Sequence, residues 1–173
     1  PNLNSSKALL VPEEGIVDYR KVLISLSENI KKRGGDVFLG NKILGVVNHN
    51  ESSIILKSEN FEREFDLVVN CSGLFSDRVY EKFTIKKSPI KIIPFRGEYL
   101  QFSSEFNHIF NHLIYPVPNP DYPFLGVHFT RTINNLREVG PNAVFAFKRE
   151  GYKNTDISLV DTLDSLTYKG LIK

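Results

Sequence analysis

The chain has 173 residues, 41% of them hydrophobic and 24% charged, a globular composition that excludes disorder and accommodates one domain or two small lobes. Its 22 basic residues face 20 acidic ones, for a formal charge of +2, which excludes the strongly basic balance of a nucleic-acid binder. A single cysteine, Cys71, rules out an internal disulfide and fits a reducing compartment, and no apolar run approaches the ~20 residues needed to span a bilayer.

The expected location is therefore cytoplasmic, with a peripheral position at the inner membrane as the variant. The sequence opens at Pro1 and contains no methionine, which reads as an internal fragment of a longer polypeptide.

Residues 1–16 read as irregular, ending in the turn-prone Pro12, Glu13, Glu14 and Gly15. From Tyr19 the apolar positions Val22, Leu23, Leu26 and Ile30 recur at helical spacing. Asp18 is placed to cap the first turn, Lys31, Lys32 and Arg33 suit the helix dipole at the last, and Gly34 and Gly35 stop it. Short runs at 36–39, 43–47, 53–57 and 65–70, rich in Val, Ile, Leu and Phe, predict strands. In 66–69 the apolar residues are consecutive, as in a parallel strand covered on both faces. A helical pattern follows Gly73 through Val79, Tyr80 and Phe83, which together with that strand gives the β-turn-α arrangement of nucleotide-binding folds.

After Ile85 the pattern changes to strand-like runs at 90–102, 113–117, 124–131 and 143–148, and predicts an antiparallel sheet. Pro116, Pro118, Pro120 and Pro123 stiffen one connection. The stretch 157–173 reads as partly helical. The expected fold class is thus α+β (α/β): part of a Rossmann-like nucleotide-binding domain over 1–88, then an antiparallel-sheet domain over 89–173.

Four stretches could carry chemistry. In Asn70, Cys71, Ser72, Gly73 the glycine lets backbone approach a ligand, and the helix start that follows suits an anion; a plain connection has the same pattern. Cys71 itself reads as a small buried residue rather than a nucleophile. Arg96, beside Gly97, can grip a planar anion bidentately or simply pair with Glu98. In a regular strand His128 shares a face with Gly126 and Thr130, where its imidazole can take a proton from a hydroxyl or serve only to bond a backbone carbonyl. Lys148 ends an apolar run and offers a cation to a carboxylate, or marks a solvated strand end. His49, His108 and His112 lie in polar, turn-like context and form no metal-ligand spacing.

Five runs, GIVDYRKV from Gly15, VVNCSGLFSDRV from Val68, IIPFRGEYLQF from Ile92, LIYPVPNPDYPFLGVHFTRTI from Leu113 and GPNAVFAFKREGY from Gly140, together resemble the L-2-hydroxyglutarate oxidase and dehydrogenase family. That family belongs to the D-amino-acid-oxidase-like flavoproteins. The resemblance implies an FAD enzyme that oxidises L-2-hydroxyglutarate to 2-oxoglutarate by hydride transfer. It implies cofactor contacts at Ile43, Ser72 and Gly73, and a substrate side formed by Arg96, Tyr115, His128, Arg131 and Lys148. Within that set His128 is expected to be the base, and Arg96, Arg131 and Lys148 the carboxylate anchors. No metal is expected.

The family's glycine-rich G-x-G-x-x-G turn has no counterpart in the sequence. The chain alone is therefore expected to lack FAD, to be inactive, and to self-associate through exposed edges. The competing readings are a relative acting on an amino acid or glycerol 3-phosphate, and a non-catalytic anion-binding module.

Overall fold

The computed structural model describes residues 7–49, 53–84, 86–121 and 124–172. Pro123 of the predicted proline-rich loop and the first six residues of the irregular N-terminal stretch lie outside that set. The chain divides into two compact units, each drawing on two stretches of sequence: the described part of Pro1–Gly34 with Phe95–Val144, and Gly35–Pro94 with Phe145–Lys173.

In the first unit, α1 spans Tyr19–Lys32. Its start is fixed as the sequence predicts, because the Asp18 carboxylate accepts from the amides of Arg20 and Lys21 at 3.1 and 3.3 Å. Its end is fixed by Gly34, which adopts φ +82°. None of its residues is buried, so the apolar stripe through Val22, Leu26 and Ile30 faces outward.

The sheet of this unit comprises β4 (Phe95–Gln101), β5 (His128–Arg131) and β6 (Arg137–Phe145), in the order β4-β6-β5. β5 and β6 run antiparallel, with His128 opposite Gly140 and Arg131 opposite Arg137. Along the other edge of β6, Phe102 bonds to Arg137 and Ala146 to Pro94, so β4 is also antiparallel to it. Phe110 is buried against Phe102 and Phe129 at 6.0 and 5.4 Å between centroids. The buried Arg137 closes this aromatic core, donating from Nε to the Phe110 carbonyl at 2.6 Å and from Nη2 to Asn111 Oδ1 at 3.1 Å. Acceptors on the loop thus satisfy a cation that would otherwise be costly to bury.

The second unit carries β1 (Ile43–His49), β2 (Ile54–Ser58) and β3 (Glu62–Phe65) as an antiparallel meander in that order. Ser58 closes the turn between β2 and β3, its Oγ accepting from the amides of Asn60 and Phe61. α2 (Ser76–Thr84) packs against β1, and α3 (Leu159–Leu166) and α4 (Lys169–Ile172) complete the unit.

Several strands differ from expectation. The runs at 36–39 and 66–70 form none; Leu67 and Val69 are 76% and 73% exposed. Consecutive apolar residues signal burial between layers, but a strand also needs ladder partners, and the described residues supply none there. The 113–117 run contributes one bridge, Ile114 to Phe129. β6 begins at Arg137, six residues before the predicted run at 143, because pairing with β5 outweighs the turn signal of Gly140 and Pro141.

Buried charge ties the second unit together. Arg149 Nη1 and Nη2 donate to Asp77 Oδ1 and Oδ2 at 2.5 and 2.7 Å. The Asp161 carboxylate accepts from the Arg149 amide at 2.9 Å and from Arg78 at 2.6 Å. Asp164 accepts from Lys91. Burial alone would push the Asp77 carboxyl up, but the Arg149 fork, the amides of Ile92 and Arg78 and the Arg149 charge together hold it below the ordinary 3.8. Asp161 and Asp164 are lowered in the same way, against burial, the first by the Arg149 amide and Arg78, the second by Lys91 and Arg78.

Carboxyls depressed on folding stabilise the fold above their unfolded value, and that contribution is lost as pH falls through the folded values. Thermal melts across falling pH should therefore show a decline that sets in near 3.8 and continues below it, and Asp77→Asn should shrink that decline. An unchanged acid dependence in Asp77→Asn would show that the pair does not govern acid stability.

Candidate functional site

The cofactor-side candidates lie in the second unit. After β3 the chain reaches Asn70, whose Oδ1 accepts from the Ser72 amide at 3.2 Å and the Ser72 hydroxyl at 2.8 Å, while its Nδ2 donates to the Ser76 carbonyl at 2.9 Å. These bonds fold Asn70–Ser76 into a tight corner leading into a 3-10 turn at Gly73–Phe75 and then α2. Gly73 adopts φ +52°, with nothing within 4 Å of where a Cβ would stand. Only glycine reaches that conformation without strain, and the open space lets a ligand come up to the backbone. Ser72 and Gly73 are both exposed. Cys71 is exposed as well, contrary to the buried position expected for it, because the corner turns the chain outward. Ile43 starts β1, next to a register shift, and its carbonyl accepts from Lys82 Nζ at 3.1 Å.

The open corner leaves its backbone within reach of a ligand, the property expected of it as a cofactor contact. No described residue is assigned the pyrophosphate, whose glycine-rich turn the sequence lacks. Among the described residues no group of His, Cys, Asp and Glu could hold a metal ion, and no helix is long and apolar enough to cross a membrane.

The substrate-side candidates gather mostly in the first unit. His128, 4% exposed, opens β5. Its ring stacks on Tyr115 at 4.4 Å and meets Tyr99 edge-on at 6.2 Å. Nδ1 lies 2.9 Å from the Gly126 carbonyl. A carbonyl can only accept, so Nδ1 carries a proton, which places the lone pair of the neutral tautomer on Nε2. The carbonyl bond is the structural alternative read from the sequence, and it leaves Nε2 as the ring atom able to accept a proton. Thr130, on the same face by strand alternation, has a buried Oγ1 without a hydrogen-bond partner.

Glycine makes this cluster possible. Tyr99 reaches His128 across the central strand by lying over Gly140, where a Cβ would come within 2.7 Å of its ring and 2.8 Å of the Glu98 carbonyl. On the other side, a Cβ at Gly126 would come within 2.7 Å of Pro116, one residue from Tyr115. Burial, with the neighbouring Tyr115 and Glu138, pushes the Tyr99 phenol above its ordinary 10.0, so it stays protonated at neutral pH. The sequence reading passed over Tyr99. The signal available for it was its place opposite a glycine in a three-stranded sheet, which requires the register.

Tyr115 and Arg131 line one cleft of about 710 Å³, with His112 and the N-terminal Leu9, Leu10 and Ile16. Alternation puts Arg131 opposite His128 along β5, yet Tyr115 touches both His128 and this cleft. Arg96 instead donates from Nε and Nη2 to Glu98 Oε1 at 2.9 and 2.7 Å, on the face of β4 opposite Tyr99. Lys148 is exposed in the second unit, in the turn after β6.

The sequence reading also missed Arg149. Its guanidinium is 2% exposed and donates to the Leu74 carbonyl as well as to Asp77. Its partners stand 72 and 75 positions earlier in the chain, beyond the reach of local pattern.

Residues 1–166 match the family model described as FAD dependent oxidoreductase. Three relatives carry the name L-2-hydroxyglutarate dehydrogenase: one from Indibacter alkaliphilus, 45% identical over 96% of this chain; one from Escherichia coli K12, 42% identical over 99%; and a mitochondrial one from Homo sapiens, 38% identical over 100%. The chain spans about two-fifths of their length, at 41%, 40% and 40%. With nearly its whole length matched, the chain belongs to the FAD-dependent oxidoreductase family.

Proposed function

We propose that the chain is part of an FAD-dependent enzyme that oxidises L-2-hydroxyglutarate to 2-oxoglutarate. The unit holding Ile43, Ser72 and Gly73 has the cofactor-side role, and the unit holding Arg96, Tyr115, His128 and Arg131 the substrate-side role. In sequence terms, 1–88 contributes to a Rossmann-like FAD-binding domain and 89–173 to the substrate-binding domain. This is a division by role, while the compact units each draw on two stretches of chain.

The observation that carries the reading is the tautomer of His128. With Nδ1 committed to the Gly126 carbonyl at 2.9 Å, Nε2 is the atom that takes the proton of the substrate hydroxyl. The Tyr115 ring stacked on the imidazole holds its plane, and burial keeps bulk water from competing for the lone pair. As the hydroxyl proton leaves, the C2–O bond becomes a carbonyl and C2 gives up a hydride. FAD, when bound, supplies the acceptor for that hydride.

Arg131, beside Tyr115 in the cleft, is the first anchor for a substrate carboxylate. Arg96 anchors the second by exchanging Glu98 for it, and Lys148 is the third cation proposed as a carboxylate anchor. The names of the relatives support this substrate over an amino acid or glycerol 3-phosphate. The near-neutral charge balance fits a small-molecule substrate rather than nucleic acid.

Turnover of the full-length protein on these three substrate classes tests the assignment, with L-2-hydroxyglutarate expected to be preferred. His128→Ala should lower kcat by about 100-fold or more, and near-normal turnover would remove His128 from the role of base. Arg131→Ala should raise KM by about tenfold, and an unchanged KM would show that the anchor lies elsewhere. The 173-residue chain by itself is expected to purify colourless and inactive, and to associate through the apolar face of α1. A flavin absorption spectrum, or a monomer in sedimentation velocity, would contradict these expectations.

A further inference from the structure

We infer that Arg149 is a positioning residue for the corner at Ser72–Gly73, fixing the backbone that the cofactor meets. The inference rests on the reading above that this corner is cofactor-side.

Nothing packs where a Cβ of Gly73 would stand, so the corner is not braced by side chains on that side. Two sets of bonds hold it. The Asn70 side chain fixes the approach, through Ser72 and Ser76. Arg149 fixes the exit, because one guanidinium donates to the carbonyl of Leu74, the residue after Gly73, and to both carboxylate oxygens of Asp77 in the first turn of α2. The 3-10 turn and the helix start are thus locked to one rigid, planar group.

Arg149 has little freedom to shift. Its side chain is buried, its own amide is held by Asp161, and Asp164 lies 3.6 Å from Nη2. The charges around it balance locally, with Asp77, Asp161 and Asp164 facing Arg149, Arg78 and Lys91. A lysine could not replace this fork, since an ammonium carries its donors on one atom and cannot span a carboxylate and a separate carbonyl in one plane.

The test uses full-length protein and measures FAD affinity by flavin fluorescence on reconstitution of the apoprotein, with KM for L-2-hydroxyglutarate taken at saturating FAD. Arg149→Lys is expected to weaken FAD binding by about tenfold or more and to leave KM within about twofold. Lys91→Met disturbs the same ion network without touching Leu74, and should change FAD affinity by less than about twofold.

Equal weakening by Lys91→Met and Arg149→Lys would reduce Arg149 to general structural support and overturn the inference, as would an Arg149→Lys protein with unaltered FAD affinity. Gly73→Val separates this outcome from failure of the underlying reading. If that substitution leaves FAD affinity unchanged, the corner is not at the cofactor and both statements fall; if it weakens FAD while Arg149→Lys does not, only the role of Arg149 falls. Should Arg149→Lys fail to fold, Asp77→Asn, which keeps the guanidinium and loosens the fork, is held to the same direction and the same comparison.

Discussion

The fork between Arg149 and Asp77 is the constraint on which the second unit depends. A guanidinium with its side chain 2% exposed would be prohibitive to bury unpaired. Here it meets both oxygens of a carboxylate and a backbone carbonyl, and its amide reaches a second carboxylate. The pair joins the chain after β6 to the start of α2, and Asp161 brings in α3. Apolar burial contributes little in comparison: Leu56 and Ala146 are the buried hydrophobic residues described in this unit. Small cores are weak, and an ion network adds directional specificity that a few apolar contacts cannot.

The first unit solves a different problem with a different device. Its sheet brings an imidazole and two phenol rings together from β4, β5 and the segment before β5, and side chains of that size on adjacent strands would normally exclude one another. Gly140 on the central strand removes the obstruction, so Tyr99 passes over it to His128, its partner across the ladder. Gly126 serves twice, giving Pro116 room beside Tyr115 and offering the carbonyl that sets the imidazole tautomer. Packing and chemistry meet in the same two glycines.

Local physics made much of this legible in the sequence. The capping of α1 by Asp18, its termination at Gly34, the helix after Gly73 and strands β1 and β2 of the meander follow from residue types within a few positions of one another, whereas β3, at Glu62–Phe65, falls in the predicted polar connection. His128 was legible as a residue on a small, polar face because alternation needs only neighbours. Its stacking on Tyr115 was not, since that depends on where a loop returns. Arg149 and Tyr99 were illegible for the same reason: a partner 72 residues away, or a glycine on a neighbouring strand that is distant in sequence, leaves no periodic trace. Arg96 sits between these cases. Its pairing with Glu98 is an i, i+2 relation on one strand face, and the sequence offered it as one of two outcomes.

The departures share a cause that concerns what hydrophobic pattern measures. The stripe on α1 and the run from Leu67 to Val69 are as apolar as buried elements, yet α1 has no buried residue, and Leu67 and Val69 are mostly exposed. Apolar surface facing water gains nothing from its patterning, because the stabilisation comes from area removed from solvent. Such a pattern has physical meaning only against a covering surface, and the described residues provide none for these two segments. The chain matches its relatives along nearly all its own length but spans only about two-fifths of theirs. Periodicity therefore reported the burial these residues are suited to, whereas hydrogen-bond partners and ion pairs reported the structure this stretch holds by itself. Where the two agree, as at β1, β2 and α2, the stretch carries its own partners; where they part, the pattern measures a suitability for burial that the described residues do not use.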